Sequence, residues 1–548
     1  MWKRNLLFAL LCLTGLGALA AGLMRRDRLS NPASFDPGRM VRGDLATVID
    51  QVDREFRRHW DEKKLAAAPR ASDLTIARRL SLGLTGTIPS LEEIRELESR
   101  PADQRLEWWT SRLLEDRRFA DYVAERLARA YVGTDDGPFL VYRRRRFVTW
   151  LSDELLANRP YDQLVGQLIS SSGIWTSTPA VNFVSATIQQ NATDQPDPVK
   201  LAGRTTRAFL GMRIDCLQCH DDKLGKLELG PTDDLRYGTQ ADFHALAAFY
   251  SDASVSLGGI GDRQRPYRYK FLDSDQEETV APATPFLPEL HRPHGSLREQ
   301  LARWVTHPDN KPFARATVNR FWALLFGRPL VEPIDEIPLQ GPFPPALEAL
   351  AEDFVGHGYD LHRLIRAIAA SEVFGLDSRA EFEVTAGHEE QWAVFPLTRL
   401  RPEQVAGALI QSASLKTIDA HSHIVFRLAR FGDEREFVRR YGDTGQDEFT
   451  DRGGTITQRL LMMNGDLLKE KTRENPLVNA ATKIALLAAR EDLATEVAYL
   501  AVLTRRPSPT ESRAFAQRLA DQPGNRRTQA LEDLYWTLLN SSEFSWNH

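Results

Sequence analysis

The stretch VNRFWALL, residues 318–325, has the spacing that decides the fold class of this 548-residue chain. Its large apolar side chains recur at positions i, i+3, i+4 and i+7, which is the spacing of one helix face. These side chains are Val318, Phe321, Trp322 and Leu325. Residues 531–539 repeat the pattern near the end of the sequence. Because no long alternation of apolar and polar residues competes with it, we predict a mainly α-helical protein.

Helix-start signals support this prediction at two distant places. Ser90 and Glu93 have the spacing of a capping box, in which each side chain accepts a hydrogen bond from the other residue's backbone N–H. Ser508 and Glu511 have the same spacing, and Pro509 between them suits the first helical position. Both signals predict helices that begin just after a serine.

Proline and glycine divide the chain into segments. Residues 255–294 hold several prolines and a Gly-Gly pair, which interrupt helices, so we expect a connector with short strands such as 267–271. This connector separates two predicted helical domains, at 45–254 and 295–548, and residues 25–44 form a linker before the first. Two domains agree with the length of the chain, which is too great for one hydrophobic core.

The first 24 residues have the composition of an export signal. Two basic residues precede an apolar run from Leu6 to Met24, and Ala18–Ala20 offers a small-residue cleavage site. We therefore predict export to the periplasm or cell envelope. The run is also long enough for an uncleaved inner-membrane anchor, so segment 1–24 is expected to be a signal peptide or an N-terminal membrane anchor.

The charge and the cysteine count exclude two classes of protein. A formal net charge of -5 lacks the basic excess of a nucleic-acid-binding protein. Three cysteines are too few for a disulfide-rich scaffold. One of them, Cys12, lies within the predicted signal, so a processed chain keeps only two.

The two remaining cysteines belong to the motif CLQCH, residues 216–220. Covalent haem attachment needs two thiols for the two vinyl groups of the porphyrin, and a histidine directly after the second thiol to bind the iron. Cys216 and Cys219 have the anchor positions, and His220 has the position of the axial ligand. Attachment takes place outside the cytoplasm, which agrees with the predicted export. We therefore predict one covalent haem c.

Other chemistry is open to the same region. A structural zinc site needs four ligands, and no second C-x-x-C completes one, although His244, His291 and His294 could contribute. The two thiols also suit a local disulfide or a redox dithiol, although no thioredoxin-like βαβ pattern surrounds them. Asp221 and Asp222, together with His244, give a further alternative, a metal-dependent hydrolase that acts on exported polymers.

The sequence leaves the sixth ligand of the iron open. His244, beside an aromatic helical face, is a candidate second ligand, although a histidine with satisfied hydrogen bonds is the commoner outcome. Met212 lies too close to the cysteines to reach the opposite face of the porphyrin. Met462 and Met463 have the setting of core residues, and Met40 is the other methionine beyond the signal. An open position favours small-ligand chemistry, and a sixth ligand favours electron transfer.

Three further groups carry weaker functional interpretations. Arg143–Arg146 point all round a helix axis, so we predict ion pairs within the domain rather than one anion-binding patch. His421 and His423 are spaced for chelation only on a strand. Asn319 and Arg320 could support a partner- or substrate-binding role of the second domain, and helix-to-helix hydrogen bonding is the interpretation we favour.

Several blocks of the sequence resemble a pair of domains in large exported planctomycete proteins, a cytochrome-like domain of unknown function followed by a C-terminal domain of unknown function. The first domain is matched by TIARRLSLGLTGTIPSLEEI, RPYDQLVGQLI and RTTRAFLGMRIDCLQCHDDKLG. The second is matched by LARWVTHPDNKPFARATVNRFWALLFGRPLVEP, DLHRLIRAIAASEVF and LTRRPSPTESRAF. Together the two resemblances cover residues 45–250 and 295–548.

This resemblance implies a mostly helical fold, export, and a haem c site at Cys216, Cys219 and His220. The family commonly continues the motif as His-Asp-His-Lys, whereas this chain has Asp222 where the second histidine stands. The block before MMNG, which in the family contains arginine and tyrosine, is HSHIVFRLARFG here. Sites formed by those family residues are therefore not carried over.

Together these observations predict an exported, c-type-cytochrome-like protein with an electron-transfer or redox role in the cell envelope. Its expected partner is an envelope redox protein or another exported protein, with no nucleic acid, and the N-terminal apolar run is its candidate membrane tether. The alternative is a non-enzymatic envelope scaffold or binding protein with a local disulfide between Cys216 and Cys219.

Overall fold

The computed structural model describes most of the chain from residue 42 onward. The described residues are 42–134, 141–188, 195–231, 234–419, 437–442, 449, 455–465, 479–520, 522 and 525–548. The predicted signal or anchor, nearly all of the linker, Met40, and the block HSHIVFRLARFG with His421 and His423 lie outside these residues. Within them, no helix is long and apolar enough to cross a membrane.

Helices make up most of the described structure. The α-helices are Arg42–Lys63, Asp73–Thr85, Leu91–Glu98, Arg105–Glu115, Arg117–Val132, Arg144–Leu156, Tyr161–Ser170, Asn182–Ser185, Pro198–Thr205, Gln240–Ala247, Leu297–Val305, Lys311–Phe326, Pro345–Gly356, Leu361–Ala370, Glu372–Gly375, Ala386–Glu390, Pro402–Ser412, Ile456–Asn464, Ala480–Leu487, Glu491–Leu503, Pro509–Ala520 and Asn525–Leu539. A π-helix spans Thr206–Leu210, and short 3-10 helices include Asp215–Gln218.

Strand is confined, in the described part of the chain, to four antiparallel pairs of short strands. They are Glu228–Leu229 with Arg236–Tyr237, Ala253–Ser256 with Gly259–Asp262, Arg268–Tyr269 with Glu278–Thr279, and Thr398–Arg399 with Trp546–Asn547. The second and third pairs lie in or beside the predicted connector, where short strands are expected. With 58% helix and 6% strand, the mainly α prediction is confirmed.

Two hydrophobic cores hold the described helices together. The main core collects buried side chains between Val48 and Phe395, so it takes in elements on both sides of the predicted connector. The second core is built mostly from residues 400–544, together with Leu82 and Ile88. The described chain from residue 43 onward accordingly forms one compact unit. The division into two domains at the connector stays a prediction from the sequence.

The helix Lys311–Phe326, called the central helix below, is buried almost all round. It packs against the helices Asp73–Thr85 and Pro345–Gly356 and against the π-helix Thr206–Leu210. The apolar periodicity predicts one buried face. The structure differs because neighbouring elements also cover the face that carries polar residues, where Asn319 is fully buried.

The helix Asp73–Thr85, called the arginine helix below, lies between the two cores. Ser72 caps its start by accepting a hydrogen bond from the backbone N–H of Thr75 at 3.2 Å. Gly86 ends it with a left-handed backbone, φ +65°, which a glycine adopts without strain. Most of its apolar side chains enter the main core, and Leu82 enters the second.

Two adjacent side chains of this helix, Arg78 and Arg79, are buried with 2% and 0% exposure. Their guanidinium groups donate at 2.6 to 3.4 Å to backbone oxygen atoms far away in sequence, those of Phe374, Leu376, Val502, Phe544 and His548. Burial lowers the pKa of both arginines, to about 10 for Arg78 and about 9 for Arg79. Backbone carbonyls therefore solvate these charges, and the arginine helix is tied to both cores.

We predict that Arg79→Ala destabilises the chain by about 3 kcal/mol, because several buried carbonyls lose their donor and a cavity forms beside Phe395. Urea unfolding of the full chain measures this as a lower midpoint. Arg58→Ala is the matched control, since Arg58 is exposed and its ion pair with Glu55 is expected to contribute less than about 1 kcal/mol. A loss at Arg79 no larger than that at Arg58 contradicts the account.

Asp53 connects the first described helix, Arg42–Lys63, to the start of the helix Glu372–Gly375. Its carboxylate accepts a hydrogen bond from the backbone N–H of Glu372 at 2.7 Å. Burial raises the pKa of Asp53 to about 6, the hydrogen bond opposes the shift, and the neighbouring Glu372 carboxylate adds to it. The folded chain therefore binds a proton more readily at this carboxyl than the unfolded chain does.

Because the folded-state pKa lies above the unfolded-state value, Asp53 lowers stability as the pH rises through about 4 to 6. We expect Asp53→Asn to remove this contribution, so that the variant loses less stability than the parent between pH 4.5 and pH 7. Thermal unfolding of both chains across that range measures the difference. Parallel pH profiles for the two chains would show that Asp53 does not titrate in this way.

Candidate functional site

The motif CLQCH follows a break in helical structure. The helix Pro198–Thr205 passes into the π-helix Thr206–Leu210, which ends at Gly211 with φ +62°. A Cβ at Gly211 would lie 2.9 Å from Ile337 Cδ1, so a glycine permits close contact with this later segment. The chain then enters the 3-10 helix Asp215–Gln218, and we call residues 215–220 the attachment turn.

The three predicted haem-binding residues lie together on the surface of this turn. Cys216 and Cys219 are exposed and are not joined by a disulfide. His220 is also exposed, and its Nδ1 lies 2.8 Å from the carbonyl oxygen of Asp221. Because a carbonyl only accepts, Nδ1 carries the proton and Nε2 keeps the lone pair in the neutral ring. Metal-binding histidines commonly have this arrangement.

The backbone between the two cysteines is fixed by an unusual convergence of donors. The carbonyl oxygen of Gln218 accepts hydrogen bonds from Tyr269 Oη at 3.0 Å, Gln240 Nε2 at 3.1 Å and His244 Nε2 at 3.1 Å. The donors come from the helix Gln240–Ala247 and from the strand Arg268–Tyr269. A carbonyl with three side-chain donors has little freedom to rotate, so the spacing of the thiols is set by this network.

His244 is fully buried in the same network. Its Nε2 donates to Gln218, its Nδ1 accepts from the Tyr267 hydroxyl at 2.8 Å, and its ring stacks on Tyr269 with centroids 3.4 Å apart. Burial lowers the pKa of His244, which keeps the ring neutral, although the Gln218 carbonyl opposes the shift. Both ring nitrogens thus have partners, and its role as a second iron ligand stays a prediction.

The two aspartates after the motif shape the backbone. Asp221 Oδ1 accepts from the backbone N–H of Gln240 at 2.8 Å, at the start of the helix that carries His244. Asp222 accepts from the backbone N–H groups of Leu227 at 2.7 Å and Leu224 at 3.0 Å. These backbone hydrogen bonds, that of Leu227 above all, lower the pKa of Asp222. The residue that differs from the family's histidine therefore organises the loop that follows.

A set of ion pairs, called the charged ladder below, connects the attachment turn to the segment after the central helix. Its members are Asp215, Arg207, Asp335 and Arg213. Asp215 accepts from Arg207 Nη2 at 2.6 Å. Asp335 accepts from Arg213 Nη2 at 2.7 Å and lies 3.7 Å from Arg207 Nε. Next to it, the backbone N–H of Ile337 donates to the Gly211 carbonyl at 2.8 Å. The turn is thus held from the side of the predicted second domain as well.

Three exposed apolar side chains belong to segments next to the turn. Leu224, Tyr237 and Leu272 are 79%, 57% and 76% exposed. Leu272 is near the turn because its backbone N–H donates to Gln240, and Tyr237 precedes Gly238, which packs against Leu217. Together with two free thiols and an available imidazole, this apolar rim fits a flat, hydrophobic group such as a porphyrin.

The alternative metal sites find less support. No cluster of three or more His, Cys, Asp or Glu side chains that could hold a metal ion occurs among the described residues. His291 bonds to Gln300 Oε1 at 2.9 Å, so it is not gathered with the cysteines. Asp221 and Asp222 accept hydrogen bonds from backbone N–H groups, and the hydrolase interpretation stays a prediction.

The remaining candidates are dispersed. Met212 is buried in the main core and Met462 in the second core, while Met463 is partly exposed. Of the four consecutive arginines, Arg144 forms a bidentate pair with Glu125 at 2.8 and 2.9 Å, which is an ion pair of the predicted kind.

Sequence reasoning missed Gln240, Tyr267 and Tyr269. A usable signal was present, because the segment Tyr267–Phe271 places aromatic rings at alternate positions, which on a strand point to one side. Gln240 had no such signal, since its importance depends on the helix start beneath the attachment turn.

Two family matches cover most of the described chain. Residues 51–254 match PSCyt2, a protein of unknown function (DUF1549). Residues 297–429 match PSD1, a protein of unknown function (DUF1553). The two match in the order that the resemblance implies, and the resemblance is confirmed. No curated protein and no solved structure matches the chain.

We predict slow alkylation of Cys216 at neutral pH. The surrounding protein partly desolvates this exposed thiol, and with the Asp222 and Asp215 carboxylates it raises the pKa of Cys216. In a Cys219→Ala chain without haem, the rate of reaction with iodoacetamide should reach half its maximum above the ordinary thiol value of about pH 8.5. The same variant unfolded in guanidinium is the control. An equal or lower midpoint in the folded chain contradicts the prediction.

Proposed function

This chain carries a PSCyt2 domain followed by a PSD1 domain, and on that premise we propose that it is an exported, c-type-cytochrome-like redox protein. In this proposal one haem is attached through thioether bonds to Cys216 and Cys219, and His220 is the axial ligand of its iron. The partner is an envelope redox protein, and the N-terminal apolar run directs the chain out of the cytoplasm.

The observation that carries the proposal is the state of the three side chains of the motif. Both thiols are exposed and unbridged, so they can add to two vinyl groups without loss of an existing protein bond. The His220 ring donates through Nδ1 to a backbone carbonyl, which leaves Nε2 as a ligand. The name of the PSCyt2 family supports a cytochrome-like domain.

The rest of the site supports attachment by holding the turn. Donation to the Gln218 carbonyl from three side chains sets the backbone between the thiols before any cofactor arrives. Leu224, Tyr237 and Leu272 offer apolar contacts at its edge. When bound, haem supplies one-electron chemistry, and the protein tunes it through the axial ligand and burial. In this proposal His244 is a positioning residue, because both its nitrogens already have partners.

A redox dithiol is a weaker explanation of the same cysteines. A catalytic dithiol depends on a thiol whose pKa is lowered, whereas partial desolvation raises the pKa of Cys216. The envelope scaffold with a Cys216–Cys219 disulfide is the second candidate function, and the exposure of both thiols is compatible with it.

The test is expression of the full chain, with its own N-terminal segment, in a host competent for cytochrome c maturation. We expect a haem absorption spectrum that survives denaturation in guanidinium, because thioether bonds persist when the fold is lost. The double variant Cys216→Ala/Cys219→Ala should lose the spectrum completely. His220→Ala should lose the native axial ligation, seen as a changed spectrum of the folded protein.

His294→Ala is the matched control, because His294 is exposed and lies outside the attachment turn. It should keep the parent spectrum. Circular dichroism of each variant checks that the helical fold is retained. A colourless parent chain, in a host that matures a reference cytochrome c in parallel, would overturn the haem proposal and favour the scaffold.

A further inference from the structure

Arg320, on the central helix, is a buried cation without a bonded partner in the described part of the chain. Its side chain is only 8% exposed. Within the described residues it forms no hydrogen bond and no ion pair. A buried guanidinium without an anion costs several kcal/mol relative to one in water, so buried arginines normally have a carboxylate or several carbonyls around them.

Its neighbours on the same helix show the usual arrangement. Arg315 forms a bidentate pair with Glu348 at 2.6 and 3.0 Å. Asn319 donates to the carbonyl of Val331 at 2.9 Å and accepts from its N–H at 3.0 Å. The sequence predicts helix-to-helix hydrogen bonds for both Asn319 and Arg320. Of the two, only Asn319 forms hydrogen bonds in the described structure, and its partner Val331 lies in a loop rather than in a helix.

Two phenols lie within electrostatic range of Arg320. The hydroxyls of Tyr131 and Tyr161 form a hydrogen bond to each other in the fully buried core. Burial raises the pKa of both tyrosines and Arg320 opposes the shift, so both are neutral. The Tyr161 hydroxyl is also hydrogen-bonded to Thr317, whose own hydroxyl donates to the carbonyl of Phe313 at 2.8 Å. The phenol pair is thus neutral and internally hydrogen-bonded, and it places no anion beside Arg320.

Some polar side-chain atoms of the described chain are closed off from solvent and also lack a hydrogen-bond partner. The guanidinium nitrogens of Arg320 do not belong to this group. Since they also have no hydrogen-bond partner there, they reach solvent from a side chain that is otherwise buried. A small ion can therefore approach them. This accessibility distinguishes Arg320 from Arg78 and Arg79, whose charges are enclosed and solvated by carbonyls.

We propose that Arg320 is the cationic centre of a binding site for a small anion of the carboxylate or phosphate class, with the phenol pair Tyr131–Tyr161 beside it. An anion supplies the acceptor atoms that the Arg320 guanidinium does not find among the described residues, and a guanidinium pairs with such groups through two parallel hydrogen bonds. The site goes beyond the proposed haem function, since it depends on the central helix and not on the cysteines.

The place of the site in the fold allows two sources for the anion. The central helix packs against the π-helix Thr206–Leu210 that leads to the attachment turn. The ring of Tyr131 packs against that of Phe209 in this π-helix, with ring centroids 5.0 Å apart. One source is a free carboxylate or phosphate. The other, which rests on the proposed function, is a carboxylate of the attached porphyrin.

The test uses the full chain without haem, as the Cys216→Ala/Cys219→Ala variant. Acetate and inorganic phosphate are titrated separately at constant ionic strength against chloride, and thermal unfolding is followed. If Arg320 forms a specific anion-binding site, the Tm should rise in a saturable way with at least one of the two anions. Arg320→Met in the same background should abolish the rise, and in chloride alone it should unfold at the same or a higher temperature, because an uncompensated buried charge is removed.

Arg315→Met is the matched control on the same helix. It should lower the Tm in chloride, because Glu348 loses its partner, and keep the rise with anion. Isothermal titration of phosphate and acetate into the Arg320-containing chain provides a second measurement if Arg320→Met does not fold. No saturable rise and no heat of binding, or an equal rise in Arg320→Met, overturns the proposal.

A second experiment, with the haem-loaded chain, shows whether a free anion or a porphyrin carboxylate fills the site. If a porphyrin carboxylate fills the site, added acetate or phosphate gives no further rise in Tm. If the rise persists, the site takes a free anion. When no haem is attached at all, the haem-free titration still decides the role of Arg320, so failure of the haem proposal and failure of the anion site give different results.

Discussion

The buried arginine pair Arg78–Arg79 is the constraint on which the rest of the structure depends. Two full charges lie between the two cores, and carbonyls from segments far along the chain solvate them. Removing either the arginines or those segments leaves buried polar groups unsatisfied, so the early and late parts of the chain stabilise each other. Arg298 has the same function beside the connector, where it is fully buried and donates to Asp262 and to the carbonyl of Ser171.

This arrangement determines how the attachment turn is supported. The central helix packs on the arginine helix on one side and on the π-helix before the turn on another. The charged ladder through Asp335 then fixes the turn from the later segment, while the Gln218 carbonyl is held by side chains from the following helix and strand. The reactive side chains are thus exposed on a rigid support, which is what a covalently attached cofactor requires.

Local signals in the sequence were sufficient to predict the mainly helical fold and the position of the attachment turn. The capping box of Ser90 and Glu93 forms as predicted, at 2.9 and 3.1 Å, because both partners lie within one turn. The helical periodicity around Trp322 and the cysteine spacing are equally local. The partners of Arg79, the donors to Gln218 and the isolation of Arg320 could not be predicted, since each depends on residues brought together only by the tertiary fold. The sequence also predicts one buried face for a helix that the structure buries all round.

Peptide mass mapping of the full chain, purified from a host competent for cytochrome c maturation, tests the chemical state of the attachment turn most directly. The account predicts a peptide containing Cys216 and Cys219 that is heavier by one intact haem, because each thiol adds across a vinyl group and no atoms are lost. A peptide of unmodified mass, or one lighter by two hydrogens through a disulfide, would contradict it.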